Sequence, residues 1–331
     1  MKRMREQFIE LLTIHGVSGK EGKVRNYLLP ILQEEMDIVQ IDSYGNLLAT
    51  KQVGNGEGAT VLLSAHMDTV TGVLADRKLV QNDDFITSDK GALGADDRAG
   101  IAIILQVLRS VEPTSFQGTL KIAFSREEEI GCVGAKHIDP KFYSDVDLAI
   151  VVDRKGSRDI VTGCYSAFCS DAVGSFFEEA SAMQGMNWKA VEGGISDATV
   201  FSRKGINSVN LSAGYYNEHT NREYVVVSQM EDTVKLIVQS LAIVNTVYHT
   251  FGEVPSFNKW VVEPSKIRAN DIYSEEIFLA EEIYAEAEDF LNGDTLVYEA
   301  EDGVVIQQGN TEICLSKDAL KSLVEQLQFV I

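Results

Sequence analysis

The sequence predicts an α/β fold in which a mostly parallel central sheet is flanked by helices. Three observations carry that reading. Apolar, strand-forming runs at 61–65, 120–124 and 148–152 end abruptly in His66-Met67-Asp68, Ser125-Arg126-Glu127-Glu128-Glu129 and Asp153. Helical periodicities alternate with these runs, as they do in βαβ units. Polar chemistry gathered at strand carboxyl ends is the arrangement such sheets use for their sites.

Each element has its own signal. Phe8, Leu11, Leu12 and Ile14 form a helical stripe over 3–15, broken by Gly16-Val17-Ser18-Gly19. A second helix is expected over 21–35, with Val24, Tyr27, Leu28, Ile31 and Leu32 on one face and Pro30 sitting awkwardly inside it. Runs 38–41 and 47–50 around Ser43-Tyr44-Gly45-Asn46 read as a hairpin, and short strands and turns fill 71–94. Residues 101–108 are apolar all round, so they form a helix buried against the sheet. Segment 154–166 reads as a loop. Then come a helix near 167–183, a strand near 188–191 and a helix at 198–204 capped by Ser196 or Asp197. A strand at 206–212, a loop at 213–222 and a helix over 228–249 complete this region.

Past Pro255 the texture changes. An acidic amphipathic helix over 274–291 precedes three strands (295–299, 303–307, 311–315) and a helix from Ser316. Its acidic face reads as solvated. The expected division is a core over 1–255 and a small accessory βα module over 256–331.

Composition narrows the function. The chain is 45% hydrophobic and 24% charged, ordinary for a soluble globular protein. A formal charge of −21 argues against a nucleic-acid or anionic-membrane partner. No apolar run reaches the roughly 18 residues needed to span a bilayer. The basic opening leads into an amphipathic helix, not a signal peptide, so a cytoplasmic location is expected. Cys132, Cys164, Cys169 and Cys314 show no Cys-x-x-Cys spacing and read as buried, reduced thiols.

The chemistry-bearing residues are His66, Asp96, the Glu128-Glu129 pair, Asp153 and His219. Two imidazoles and several carboxylates, with no thiolate, suit zinc, cobalt or manganese. Taken singly each has a bland alternative: a solvated loop acid, or in Asp96-Asp97 a helix N-cap. Three consecutive glutamates directly after a buried strand are costly without a cation, however. His15, His137 and His249 lack this context and read as structural or surface residues. Tyr165, Tyr215 and Tyr216 are candidates to line a pocket, with Tyr215 or Tyr216 as a donor to a developing oxyanion.

The motifs His66-Met67-Asp68-Thr69-Val70, Gly94-Ala95-Asp96-Asp97-Arg98-Ala99-Gly100, Glu128-Glu129-Ile130-Gly131, Gly193-Gly194-Ile195-Ser196-Asp197-Ala198 and His219-Thr220-x-x-Glu223 occur in one order. In that order the chain resembles the dinuclear zinc exopeptidase superfamily, in particular the peptidase T, carboxypeptidase G and aminoacylase group. Gly16-Val17-Ser18-Gly19 and Tyr44-Gly45-Asn46-Leu47 add to the likeness, which covers about residues 5–250 and leaves the tail uncovered. The resemblance implies that His66 and Asp153 hold one metal, Glu129 and His219 the other, and that Asp96 bridges them through a cis peptide bond to Asp97. It makes Asp68 the residue behind His66 and Glu128 the general base, leaving Glu127 outside the reaction.

Many of the group carry a lid or dimerisation domain between the equivalents of Asp153 and Gly193, where this chain has only 39 residues. A related aminopeptidase branch carries its insertion between the equivalents of His66 and Asp96, where this chain has 29. A bare core is therefore expected, shaped by the loops 71–94, 154–166 and 213–222. The implied enzyme is a metallo-exopeptidase with two divalent ions, zinc with cobalt or manganese as alternatives, acting as an aminopeptidase on short peptides. The rival is an amidohydrolase releasing an acyl group from N-acyl amino acids or similar small amides. A noncatalytic binding member of the fold is disfavoured by the intact Glu128, and a homo-oligomer is left open. Metal binding is expected to weaken below about pH 6, because an imidazole must be neutral to ligate.

Overall fold

The computed structural model describes residues 2–111, 114–164 and 166–255, and the strands 295–300, 303–308 and 311–316. The chain divides into two units, Met1–Pro255 and Ser256–Ile331, each described by itself.

The first unit opens with α1 (Lys2–Thr13) and α2 (Gly22–Glu35), which bury the predicted stripes Phe8, Leu11, Leu12 and Val24, Leu28, Leu32. The hairpin β1 (Ile38–Ile41) and β2 (Leu47–Val53) leads to β3 (Thr60–His66), then the short β4 (Leu79–Gln81) and β5 (Phe85–Ser88). Helix α3 (Ala95–Val111) follows, with Asp96 and Asp97 still non-helical at its start. Next come β6 (Gly118–Ser125), the short helices α4 (Val133–His137) and α5 (Pro140–Tyr143), and β7 (Leu148–Arg154). The remainder is β8 (Asp159–Cys164), β9 (Ser166–Ala167), α6 (Asp171–Met183), β10 (Lys189–Glu192), α7 (Asp197–Arg203), β11 (Ser208–Ser212), β12 (Tyr215–Tyr216), β13 (Tyr224–Val226) and α8 (Val227–Val244).

The main sheet runs β1-β2-β6-β3-β7-β11-β8-β10, with β9 beside β8. Its centre, β6-β3-β7-β11, is parallel throughout, and antiparallel pairings flank it at β1–β2–β6 and β11–β8. Both faces of β3 and β7 are buried, which is why they read as near-continuous apolar runs. Register does the positioning. His66 pairs with Ser125, and Ser64 with Val151, so the chain leaves β3, β6 and β7 at one edge of the sheet. A second sheet, β12-β13-β5-β4, ties the segment after β11 to the 71–94 region, with Tyr224 opposite Thr87.

Three expectations need correction. Segment 154–166 is not a loop: it contains β8, a full member of the main sheet between β11 and β10. Only Ile160 and Val161 among its residues are bulky and apolar, too short a run to stand out from sequence. The helix expected from 167 begins at Asp171, after Ser166 and Ala167 have paired with β8. The helix expected over 228–249 runs Val227–Val244 and stops short of His249.

In the second unit β14 (Thr295–Ala300), β15 (Gly303–Gln308) and β16 (Thr311–Ser316) form an antiparallel sheet at the positions expected of its three strands. The helices expected over 274–291 and from Ser316 lie outside the described residues. Among the described residues, no helix is long and apolar enough to cross a membrane.

Candidate metal centre

His66 ends β3 and is 1% exposed. Its Nδ1 faces Asp68 Oδ1 at 3.2 Å and its Nε2 faces Asp96 Oδ1 at 3.0 Å. Asp68 does more than hold that ring. It accepts the Ser18 hydroxyl at 2.8 Å and the backbone N–H groups of Glu128 and Glu129 at 3.0 and 3.2 Å. One fully buried carboxylate thereby sets both the histidine and the acidic turn after β6. Burial opposes its ionisation, but His66 and Ser18 hold its pKa below the usual carboxylate value.

Asp96 lies between two histidines. Its Oδ1 faces His66, while its Oδ2 lies 3.2 Å from His219 Nε2. The Asp96–Asp97 peptide bond is cis. The turn that presents Asp96 is held by Glu223, whose buried carboxylate accepts the N–H groups of Gly94, Ala95 and Asp96 at 2.9, 2.7 and 3.3 Å. Asp97 accepts from the backbone N–H of His66 and of Gly100, joining β3 to the start of α3.

After β6, Glu127 adopts a left-handed backbone (φ +53°) and the two following glutamates part company. Glu129 Oε2 lies 2.8 Å from His219 Nε2. Glu128 Oε2 lies 3.8 Å from His66 Nε2, and its Oε1 accepts from the Cys132 thiol. Glu127 turns elsewhere, to the Tyr44 hydroxyl and the Arg126 guanidinium. Asp153 Oδ1 lies 3.6 Å from His66 Nε2 and accepts the Tyr215 hydroxyl at 3.0 Å. His219 is itself left-handed (φ +63°) and 43% of its side chain is exposed, the most open member of the group.

The electrostatics are those of buried acids crowded against one another and against two histidines. Burial, then the neighbouring Asp153, pushes the Glu128 carboxyl well above its usual value, and burial with Asp96 raises Asp153 to about 7. Burial, with Asp96 adding to it, also raises Glu129. Burial would lower both histidines, yet the carboxylates overcome it: His66 is held well above its usual value and His219 reaches about 11.

This set fits divalent cations. Ligand atoms of His66, Glu128 and Asp153, and of His66, Asp96 and Glu129, each lie within 4.8 Å of one another. Glu129 Oε1 is buried with no hydrogen-bond partner. Oxygen and imidazole donors without thiolate suit zinc, cobalt or manganese.

The structure thus brings His66, Asp68, Asp96, Glu128, Glu129, Asp153 and His219 together, and treats the tyrosines differently. Tyr215 is 2% exposed and its hydroxyl is committed to Asp153. Tyr216 stacks on Tyr224 and donates to Gln229. Tyr165 lies outside the described residues. Sequence reasoning assigned no task to Glu223 or Arg98. Arg98 is fully buried and donates to the Met67 carbonyl at 2.6 Å. Its signal was a single base directly after two acids at the opening of a largely apolar helix; that of Glu223 was its place four residues after His219.

Comparison with known proteins follows the same lines. An uncharacterized protein, YqjE of Bacillus subtilis, is 27% identical over 222 residues, covering 64% of this chain and 55% of that one, so the chain spans about half the length of this relative. Aminopeptidase PepT from Bacillus cereus superposes with a TM-score of 0.67 at 20% identity, over 73% of this chain and 98% of that one. The Pyrococcus horikoshii TET1 peptidase, which can assemble into a tetrahedron or a large octahedral shell, does so at 0.59 and 19%, over 72% and 99%. At these identities the likeness is one of fold. The model of the M42 glutamyl aminopeptidase family matches residues 71–236, half of the chain and a span that holds Asp96, Glu128, Glu129, Asp153 and His219. By that match the chain belongs to the M42 peptidase family, within the dinuclear zinc exopeptidase group.

Proposed function

We propose that this chain is a cytoplasmic, metal-dependent exopeptidase, an aminopeptidase that removes residues from short peptides. One observation carries the reading: the two oxygens of Asp96 face two different histidines, His66 and His219, as a bridging carboxylate would. In this reading His66, Asp96 and Asp153 would hold one ion and Asp96, Glu129 and His219 the other, zinc being the first choice and cobalt or manganese the alternatives. When bound, such cations polarise the scissile carbonyl and make a water acidic. The chain's own residues do the rest. Glu128 would accept a proton from the attacking water as the water oxygen bonds the carbonyl carbon, and then give it to the departing amine as the C–N bond breaks. Asp68 holds the Nδ1–H of His66, keeping Nε2 free to ligate. Tyr215 orients Asp153 through its hydroxyl, which replaces the oxyanion role expected for Tyr215 or Tyr216.

Residues 1–255 form the catalytic core in this proposal, and 256–331 an accessory module. Self-association is part of it, since a fold neighbour assembles into closed shells. The test is a screen of free di- and tripeptides against N-acyl amino acids, with zinc, cobalt or manganese added. Turnover of free peptides is expected. Turnover of N-acyl amino acids alone would replace the aminopeptidase by a deacylase, and no metal-stimulated turnover of either would end the proposal.

A further inference from the structure

Glu128 also belongs to a second cluster. Its Oε1 lies 3.4 Å from Cys132 Sγ, and ligand atoms of Glu128, Cys132 and Asp197 all lie within 4.8 Å of one another. Three separate elements converge here. Glu128 comes from the turn after β6, Cys132 is the left-handed residue (φ +50°) preceding α4, and Asp197 opens α7. Cys132 and Asp197 are each 1% exposed. Asp197 Oδ2 accepts the Ser125 hydroxyl at 2.5 Å, whereas its Oδ1 is buried with no hydrogen-bond partner. A buried carboxylate oxygen left without a partner is costly, and it is the natural place for a cation to bind.

The donor types set this cluster apart from its neighbour. The group around Asp96 offers only imidazole and carboxylate, whereas this one adds a sulfur, which selects thiophilic cations. The two clusters share one residue, the general base. We propose that Glu128, Cys132 and Asp197 form a third, inhibitory site for a thiophilic divalent cation, zinc or cadmium, whose occupation withdraws Glu128 from the reaction. On binding, the Cys132 thiol gives its proton to solvent and its sulfur bonds the cation, while Asp197 and Glu128 each contribute a carboxylate oxygen. No oxidation or reduction takes place. Glu128, with 13% of its side chain exposed, is the point of entry from the reaction site. With its carboxylate on the cation it no longer accepts the proton of the attacking water. The inhibitory consequence rests on the proposed peptidase activity; the binding does not.

Titrating the full-length, manganese-loaded protein with cadmium chloride tests the binding through the ultraviolet thiolate-to-cadmium absorption. One thiolate per chain is expected to respond. The band should vanish in C132A and C132S and persist in C164A, C169A and C314A, with thermal melts confirming that each variant is folded. In parallel, excess zinc should suppress peptide turnover of the unsubstituted protein by on the order of 10²-fold, the scale of losing a general base. In C132A and C132S the same fractional loss should need at least about tenfold more zinc, the cost already incurred when only a residue supporting a metal ligand is removed. A cadmium band that survives in C132A, or excess zinc acting equally on C132A and the unsubstituted protein, would overturn the site. Cadmium bound through Cys132 without loss of turnover would overturn its inhibitory role. If no variant turns over any substrate, the peptidase reading fails while the absorption still reports the site.

Discussion

Glu128 and Glu129 are chemically identical neighbours, and what separates them is which way each points. Glu129 reaches His219, and Glu128 reaches Cys132 and the His66 edge. Glu128→Gln keeps the shape but cannot accept a proton, so turnover should fall about 10²–10⁴-fold with metal content intact. Glu129→Gln should instead lose most of one ion by elemental analysis, and added metal should restore part of its activity. Metal loss at Glu128 with a metal-replete, inactive Glu129 variant would reverse the assignment. Tyr215→Phe removes the donor on buried Asp153 and should weaken metal affinity about tenfold. Tyr216→Phe, which breaks only the bond to Gln229, should leave both affinity and turnover unchanged. Most of the ligand types were legible in the sequence because His66, the glutamates and Asp153 stand at or just past the carboxyl ends of apolar strands, and Asp96 opens a buried helix. The direction of each side chain was not, because it depends on the left-handed turn at Glu127 and on which neighbour has a vacant hydrogen-bonding position.

At the scale of elements, the ligand-bearing turns are set by close packing. Gly100 lies where α3 meets the sheet: a Cβ there would come within 2.0 Å of the Val152 carbonyl oxygen and 2.4 Å of Asp97 Oδ1. Gly100→Ala should therefore push α3 off β7, costing about 1–3 kcal/mol in denaturant melts and disturbing Asp96 and Asp153 together. A variant as stable and as metal-rich as the parent would show that the helix yields elsewhere. Glu223 acts on the same turn from the opposite partner. Glu223→Gln puts an amide N–H group against backbone N–H donors, so it should cost about 2–3 kcal/mol and weaken both ions at once, since Asp96 faces both histidines. Loss of stability with unchanged metal affinity would make Glu223 a structural residue only. The glycine-rich motif around Asp96 marked this turn in the sequence. The membership of β8 in the sheet was invisible, because a strand with two bulky apolar residues is defined by the neighbours that cover it.

Across the sequence acids outnumber bases, 50 to 29, and among the described residues Asp96, Glu128, Glu129 and Asp153 gather with His66 at one edge of the main sheet. Chelation should lower the melting temperature, because saturating an ion at about 100 times its dissociation constant contributes about 2.7 kcal/mol. Metal affinity should also depend on pH. In the metal-free protein His219 keeps its proton up to about 11, and His66 well above its usual value, so binding displaces protons throughout the neutral range. Affinity should then climb with pH by roughly tenfold per unit for each proton released, with weakening already under way well above the pH 6 expected from unperturbed imidazole. An affinity flat between pH 6 and about 8 would contradict this. The sign of the protein's own response is separate. A histidine whose folded pKa is raised stabilises the metal-free fold below its unfolded value near 6.5, and that contribution is lost as pH rises through about 11.

The α/β class, the order of the ligand-bearing segments and the division of acids from core are written in runs of neighbouring residues, and so could be read along the chain. Periodicity and abrupt apolar-to-polar edges are local signals. Bringing His66, Asp96, Glu129, Asp153 and His219 within reach of one another is not local. It requires the register of β3 with β6 and β7, the Glu223 carboxylate on the 94–96 turn, and the small sheet that carries the segment after β11 back to β5. The meeting of Cys132 and Asp197 at Glu128 is of the same kind. No spacing in the sequence encodes it, because it arises where α4, α7 and the turn after β6 are packed together around residues that could not be buried alone.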